Sequence, residues 1–152
     1  MRLVYPSPEQ NDMLAILIAN RLAASNFQPC QCLAMMDGDT LAGVVVYFCY
    51  RHPSIEVAIF SDDPRWALNR DMVAEIIAYP FVQLGCKRIT AMVDKHNKRS
   101  RKMLKRLGFV EEGKLREAAD KGDVFIYGLL PNEYRLRTNH GQEIRTRSAA
   151  SS

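Results

Sequence analysis

With 152 residues, 47% of them hydrophobic and 25% charged, the chain has the composition of one globular domain built on one core. No run approaches the roughly 18 apolar residues that cross a bilayer, and prolines and acidic residues interrupt Met1–Asp12, so neither a membrane span nor a secretory leader is expected. The net charge of +4 gathers in two clusters, Lys95–Arg106 and Arg135–Arg147. An anionic partner, nucleic acid or the phosphates of a cofactor, therefore stands against the plainer reading of a solvated face and a soluble tail.

In chain order, RLVYP (residues 2–6) reads as a short strand stopped by Pro6. Ser7 and Pro8 then open a helix, as cap and first-turn proline, which runs through DMLAILIANRLAA to about Ala24. CQCLAMM and TLAGVVVYFCY flank Asp37-Gly38-Asp39, the signature of a tight hairpin between two strands. His52-Pro53 turns the chain again, into a third strand, SIEVAIFS. A helix is expected from Pro64 to Asp71 onward, because WALNRDMVAEIIAYPFVQLG places apolar residues at three- and four-residue spacing. Pro80 should end or kink it, and Gly85 closes the segment. KRITAMVD is a strand, Asp94–Leu107 a helix stopped by Gly108, and FVEEGKLRE and DVFIYGLL are strands around Asp120–Asp123. Residues 1–136 thus read as one domain without repeats. Residues 137–152, polar and without period, are expected to be a disordered tail.

Cys30, Cys32, Cys49 and Cys86 lie in apolar segments without paired CxxC spacing, so buried free thiols in a reducing cytoplasm are expected rather than zinc ligands or disulfides. Asp37, Asp94 and His96 likewise have no partners spaced for a triad or a metal. In the basic helix, seven of the twelve residues from Lys95 to Arg106 are Lys or Arg. Asn97, Ser100, Leu104 and Leu107 recur on one stripe, with Met103 beside them. That stripe is expected to face inward and the cations to occupy the other faces. It begins with two small polar residues, Asn97 and Ser100, which either cap the helix or serve a site.

The stretch GCKRITAMVDKHNKRSRKMLKRLGFVEEGKLRE, followed by GDVFIYGLL, resembles the C-terminal half of the GNAT superfamily of acetyl-CoA-dependent N-acetyltransferases. It looks most like the branch of ribosomal-protein N-terminal acetyltransferases, through Leu84-Gly85, Asn97, Ser100, Leu107-Gly108-Phe109 and Glu112-Gly113. The resemblance is specific from about Trp66 to Tyr134. The YPF-x-QLG segment is shared with phage and bacterial relatives. The resemblance implies a mixed α/β (α+β) fold whose mostly antiparallel central sheet splays into a V flanked by helices. Acetyl-CoA would enter that V with its pyrophosphate at the start of the helix after the fourth strand, where free backbone N–H groups favour anions. The family's loop there carries glycine or alanine at two positions that are Leu68 and Arg70 here, in RWALNR. Arg65 fits the first position, and Arg70 would offer a guanidinium where the glycine contacts are missing.

Carried over residue by residue, the resemblance implies a cofactor site made of Val57, Ala58, Ile59, Phe60, Arg65, Asn69, Arg70, Asp71, Asn97, Ser100 and Lys102. The backbone of Val57 to Phe60 would polarise the carbonyl, Asn97 would bond the pantetheine, and Lys98, Arg99 or Lys102 would reach the 3′-phosphate. Glu56 would accept the amine proton. The tyrosine that many members use to protonate the thiolate is Leu104 here, leaving Ser100 at the sulfur. The expected function is acetyl transfer from acetyl-CoA to an amine, on a protein or other macromolecule, without a metal. The alternatives are a catalytically inactive GNAT-like module that binds nucleic acid or a partner protein, and a regulator that senses acyl-CoA. The sequence leaves the amine and the oligomeric state open.

Overall fold

The computed structural model describes residues 1–21 and 27–135. The expected end of the first helix near Ala24 and the tail 137–152 lie outside them. Strands β1 (Arg2–Val4), β2 (Cys30–Asp37), β3 (Thr40–Arg51), β4 (Ser54–Ser61), β5 (Arg88–Asp94), β6 (Val110–Ala119) and β7 (Gly122–Leu129) form one sheet in the order β1-β2-β3-β4-β5-β7-β6. Every neighbouring pair is antiparallel except β4 with β5. That parallel contact is short: Ser54 with Arg88, Ile55 with Ile89, Glu56 with Thr90. Beyond Glu56 the two strands part, and the sheet opens into the expected V.

Helices α1 (Pro8–Arg21), α2 (Arg70–Ala78) and α3 (Lys98–Leu107) cover the sheet unequally. Alternation along the strands sends Leu33, Val45, Ile55, Val57, Ile89 and Ala91 to one face, into a core closed by α2 and α3. Cys32, Val44, Val46 and Phe60 point to the other face, against Ala15 and Ile18 of α1. Residues of α1 follow the sequence reading: Ser7 Oγ accepts from Gln10 N at 3.3 Å, and Gln10 Oε1 accepts from Ser7 N at 3.0 Å, a reciprocal cap. Among the described residues no helix is long and apolar enough to cross a membrane.

Two local expectations are refined and one is corrected. The helix after β4 starts inside the expected window of Pro64 to Asp71, and not at its first residue. Pro64–Leu68 is a separate 3-10 turn capped by Asp63, and α2 starts at Arg70 because Asn69 is extended (φ −84°, ψ 92°) and caps it. Around Pro80 the α-helical ladder ends, as expected: α2 closes at Ala78 and the chain continues as a π turn, Tyr79–Gln83, closed by Leu84 N to Tyr79 O at 3.2 Å. The fourth residue after Ile76 is Pro80, which has no N–H to give, and the buried Tyr47 hydroxyl donates to the Ile76 carbonyl instead, at 2.6 Å. Cys49 is exposed, at a positive φ of 49° in the irregular end of β3, whereas Cys32 and Cys86 are buried and Cys30 is partly so.

At the end of α3, Gly108 sits at φ 110°, and its N–H bonds the carbonyl of Leu104 and of Lys105. A Cβ at that position would lie 2.0 Å from the carbonyl oxygen of Glu133. Phe109 then drops into the core as β6 begins.

Candidate active site

The V has two walls. One is the outer half of β4 with the 3-10 turn that follows; the other is the start of α3. Between them lies a hollow of about 260 Å³ lined by Ile59, Ser61, Trp66, Asn97, Ser100 and Met103, among others. It continues along the 3-10 turn into a second hollow of about 320 Å³, where Leu68, Lys102 and Arg106 join the lining. Pro64, Ala67, Arg99 and Met103 line both, so the two make one groove. On the α1 face a third hollow of about 360 Å³ carries Asp37, Asp62 and Asp63 with Arg21 and Arg65. Ser61 and Asp62 border it and the groove alike, at the mouth of the V.

Asn97 and Ser100 stand together in the groove, as the stripe on α3 implies. The Asn97 carboxamide also caps α3, accepting from Ser100 N at 3.2 Å. The Ser100 hydroxyl has no protein partner among the described residues. Of the β4 residues Val57 to Phe60, only Ile59 puts its side chain into the groove. Val57 belongs to the core and Phe60 faces α1, so for Val57, Ala58 and Phe60 only the backbone is available to a ligand there.

Glu56 has the parity of Phe60 and so projects on the α1 face, at the last β4–β5 pair before the strands part. It is half-buried and no cation or donor of the described residues engages it. Burial raises its pKa above 4.5. A carboxylate held short of full solvation, with no counter-charge, suits proton acceptance better than a paired one.

Arg65 is drawn the other way. It pairs with Asp37 at 2.8 Å and with Asp63, and those hydrogen bonds hold the Asp63 carboxyl down at about 2. Asn69 caps α2 through Met72 N at 3.0 Å. Arg70 and Asp71 occupy the first turn of α2, and neither borders the groove, whereas Lys102 does.

Arg101 departs from the expectation that the cations of α3 face outward. It lies 4.1 Å over the Phe125 ring, bonds the buried Tyr127 hydroxyl at 3.1 Å and Lys95 O at 3.2 Å, and approaches Glu111 at 3.5 Å. The spacing already held that signal, since Arg101 follows Asn97 by four residues and precedes Leu104 by three. Trp66 and Arg106 are groove residues that the sequence reading did not single out, and Met103 enters it only as a neighbour of the inward stripe. Trp66 was legible only as a member of an apolar period.

A sheet that splays between two parallel strands, with a helix starting at each side of the opening, narrows the families that fit. The sequence profile described as Acetyltransferase (GNAT) domain matches residues 1–110. The chain belongs to this family. Among solved structures, this GNAT domain is similar to a mutant of spermidine N-acetyltransferase SpeG from Vibrio cholerae, with a TM-score of 0.70 and 20% identity over 86% of this chain and 95% of that one. It is similar to yncA of Salmonella typhimurium, solved with its cofactor acetyl-CoA, with a TM-score of 0.66 and 11% identity over 84% and 92% of the chains. A third structure, described only as an acetyltransferase, is 26% identical with a TM-score of 0.61 over 70% of this chain, which spans 59% of that protein's length. The likeness to SpeG and yncA is one of fold. No curated protein sequence matches the chain.

GNAT enzymes use acetyl-CoA, and the groove fits such a molecule in its chemistry. It offers neutral polar groups at Asn97 and Ser100, with Asp62 and Arg99 at the same hollow, an apolar stretch along Trp66 and Met103, and cations at Lys102 and Arg106. Among the described residues no group of three or more His, Cys, Asp or Glu is placed to hold a metal ion.

Proposed function

We propose that this GNAT domain is an acetyl-CoA-dependent N-acetyltransferase that takes its amine from the α1 face and its cofactor from the α3 face, with the transfer made where β4 and β5 part. The observation that carries this is the placement of Glu56 and of Ser100 with Asn97 on opposite sides of one opening. Bound acetyl-CoA supplies an activated thioester. Asn97 and the backbone of β4 from Val57 to Phe60 orient it, and Ser100 donates a hydrogen bond toward the departing sulfur. Glu56 accepts the proton that the attacking amine gives up, directly or through water.

The acceptor we favour is an amine on a protein or other macromolecule. The resemblance to the ribosomal-protein N-terminal acetyltransferase branch supports it. So does the open surface on that side, where Met92, of the same parity as the Thr90 that pairs with Glu56, is 46% exposed. A second reading, a small polycationic amine, is favoured by the carboxylates of Asp37, Asp62 and Asp63 gathered in the hollow on the α1 face, from which it would displace the guanidinium groups of Arg21 and Arg65.

The test is release of free CoA thiol from acetyl-CoA with a panel of peptides bearing free N-termini, lysine peptides and polyamines. Ser100→Ala should lower turnover about 10- to 100-fold, as loss of one proton-transfer group does, while leaving CoA affinity within about twofold. Turnover with no acceptor of either class would refute the enzyme reading, and a Ser100→Ala variant as fast as the parent would refute the role of Ser100 at the sulfur. Polyamine turnover alone would select the second acceptor.

A further inference from the structure

The start of α2 is poorly supplied to hold phosphates. Arg65 N is bonded to Asp63 Oδ1 at 3.0 Å, Asn69 N to Trp66 O at 3.1 Å, and Met72 N to Asn69 Oδ1 at 3.0 Å. The backbone donors that a phosphate would seek are thus partly consumed within the loop. Asp71 adds a negative charge to the first turn, and Leu68 stands 74% exposed where a small residue would let an anion approach the backbone.

Across the groove the opposite holds. Arg99, Lys102 and Arg106 follow one another at intervals of three and four, so they form a single stripe along α3, and all three border the hollow of about 320 Å³. No carboxylate lines that hollow, and its fourth cation, Arg65, is held by Asp37 and Asp63. Arg99 and Lys102 have no ion pair among the described residues. Arg106 donates one N–H to Ala67 O at 3.3 Å, which ties α3 to the 3-10 turn and leaves the rest of its guanidinium donors for another acceptor.

We infer that the phosphorylated end of CoA is held in this protein by the side-chain cations Arg99, Lys102 and Arg106 of α3, and not by backbone N–H groups at the start of α2. The inference rests on the cofactor reading above. Its consequence is a binding energy that comes from solvent-facing charge and is therefore screened by salt, where a backbone cradle buried under the ligand would be screened much less. It also separates the two ends of the cofactor: the pantetheine end meets Asn97, Trp66 and Met103, and owes nothing to the stripe.

Calorimetric titration of CoA, 3′,5′-ADP and pantetheine into the full chain, at low and several-fold higher salt, reads each end separately. The double variant Arg99→Gln with Lys102→Gln is compared with Lys98→Gln plus Lys105→Gln, which removes the same charge from positions that do not border the groove. The groove pair should weaken CoA and 3′,5′-ADP by about 10- to 100-fold, the range for lost charge-assisted hydrogen bonds, and leave pantetheine unchanged. The control pair should change all three by about twofold or less, and added salt should weaken the parent toward the groove variant. CoA that binds the groove pair as tightly as the parent, or loses equally in both pairs, would overturn the inference while leaving the cofactor reading in place. A parent chain that binds no CoA would overturn both.

Discussion

Tyr47→Phe removes one oxygen atom and should cost far more than its size suggests. The ring is 1% exposed and packs on Tyr79 with centroids 4.7 Å apart, contacts that phenylalanine keeps. What it loses is the donor to the Ile76 carbonyl at 2.6 Å. Ile76 is 2% exposed, so water does not replace that donor, and the helical one is missing because the fourth residue on is Pro80. A buried carbonyl left without a partner costs about 1–3 kcal/mol. For a chain of this size that is a fall in Tm of about 3–9 °C, and thermal melts checked by urea unfolding will read it. The decisive form is a double-mutant cycle with Pro80→Ala, which gives the helix back an N–H at the required position. In that background Tyr47→Phe should cost at least about 1 kcal/mol less than in the parent. Equal costs in both backgrounds would show that the phenol does not stand in for the proline's missing donor.

Glu56→Gln should lower turnover and yet raise Tm at about pH 8. Burial lifts the folded pKa above 4.5, so the folded chain binds the proton more tightly than the unfolded one, and stability is lost as pH rises through that window. The variant should gain over the parent above the window and match it below; a lower melting point at pH 8 would reveal a stabilising partner for the carboxylate. Gly108→Ala and Gly85→Ala form a calibrated pair, since both residues have positive φ but only Gly108 has a neighbour in the way. Urea unfolding should give about 1–2 kcal/mol for Gly85→Ala and about 2–4 kcal/mol for Gly108→Ala, which adds overpacking against Glu133 to the left-handed strain. The reverse order would mean that the segment after β7 yields more readily than its bond from Arg135 N to Leu107 O suggests.

What the sequence made legible was local. Asp37-Gly38-Asp39 turns where its composition says, between β2 and β3, with Gly38 at φ 61°. Asn97, Ser100, Leu104 and Leu107 share a face because α3 keeps its period, and Gly108 stops it. What the sequence left hidden comes from partners distant along the chain. Arg65 is held by Asp37, 28 residues away, and Tyr47 rescues a carbonyl 29 residues away; no periodicity encodes either. Arg101 was hidden by its charge: its spacing placed it on the inner stripe, but a guanidinium is assigned to solvent unless an aromatic ring and a carboxylate wait for it, as Phe125 and Glu111 do. At the start of α2, Asp63 and Asn69 each cap a separate turn, a division that the apolar spacing of the segment does not reveal.

The three-pair contact between β4 and β5 has a consequence for the molecule's solubility. A sheet ordinarily has two edges, one at each end, and here those are the three-residue β1 and the charged β6. By parting after Glu56, β4 and β5 create a further edge in the middle, with backbone donors and acceptors of Val57 to Ser61 on the β5 side left without a strand. Such an edge invites another chain to add itself. It carries none of the usual deterrents, since VAIFS has neither charge nor proline. The protection is steric: the 3-10 turn and α3 stand on either side of the gap and admit something narrow while excluding a second sheet. Loosening α3 should therefore show first as aggregation, ahead of global unfolding.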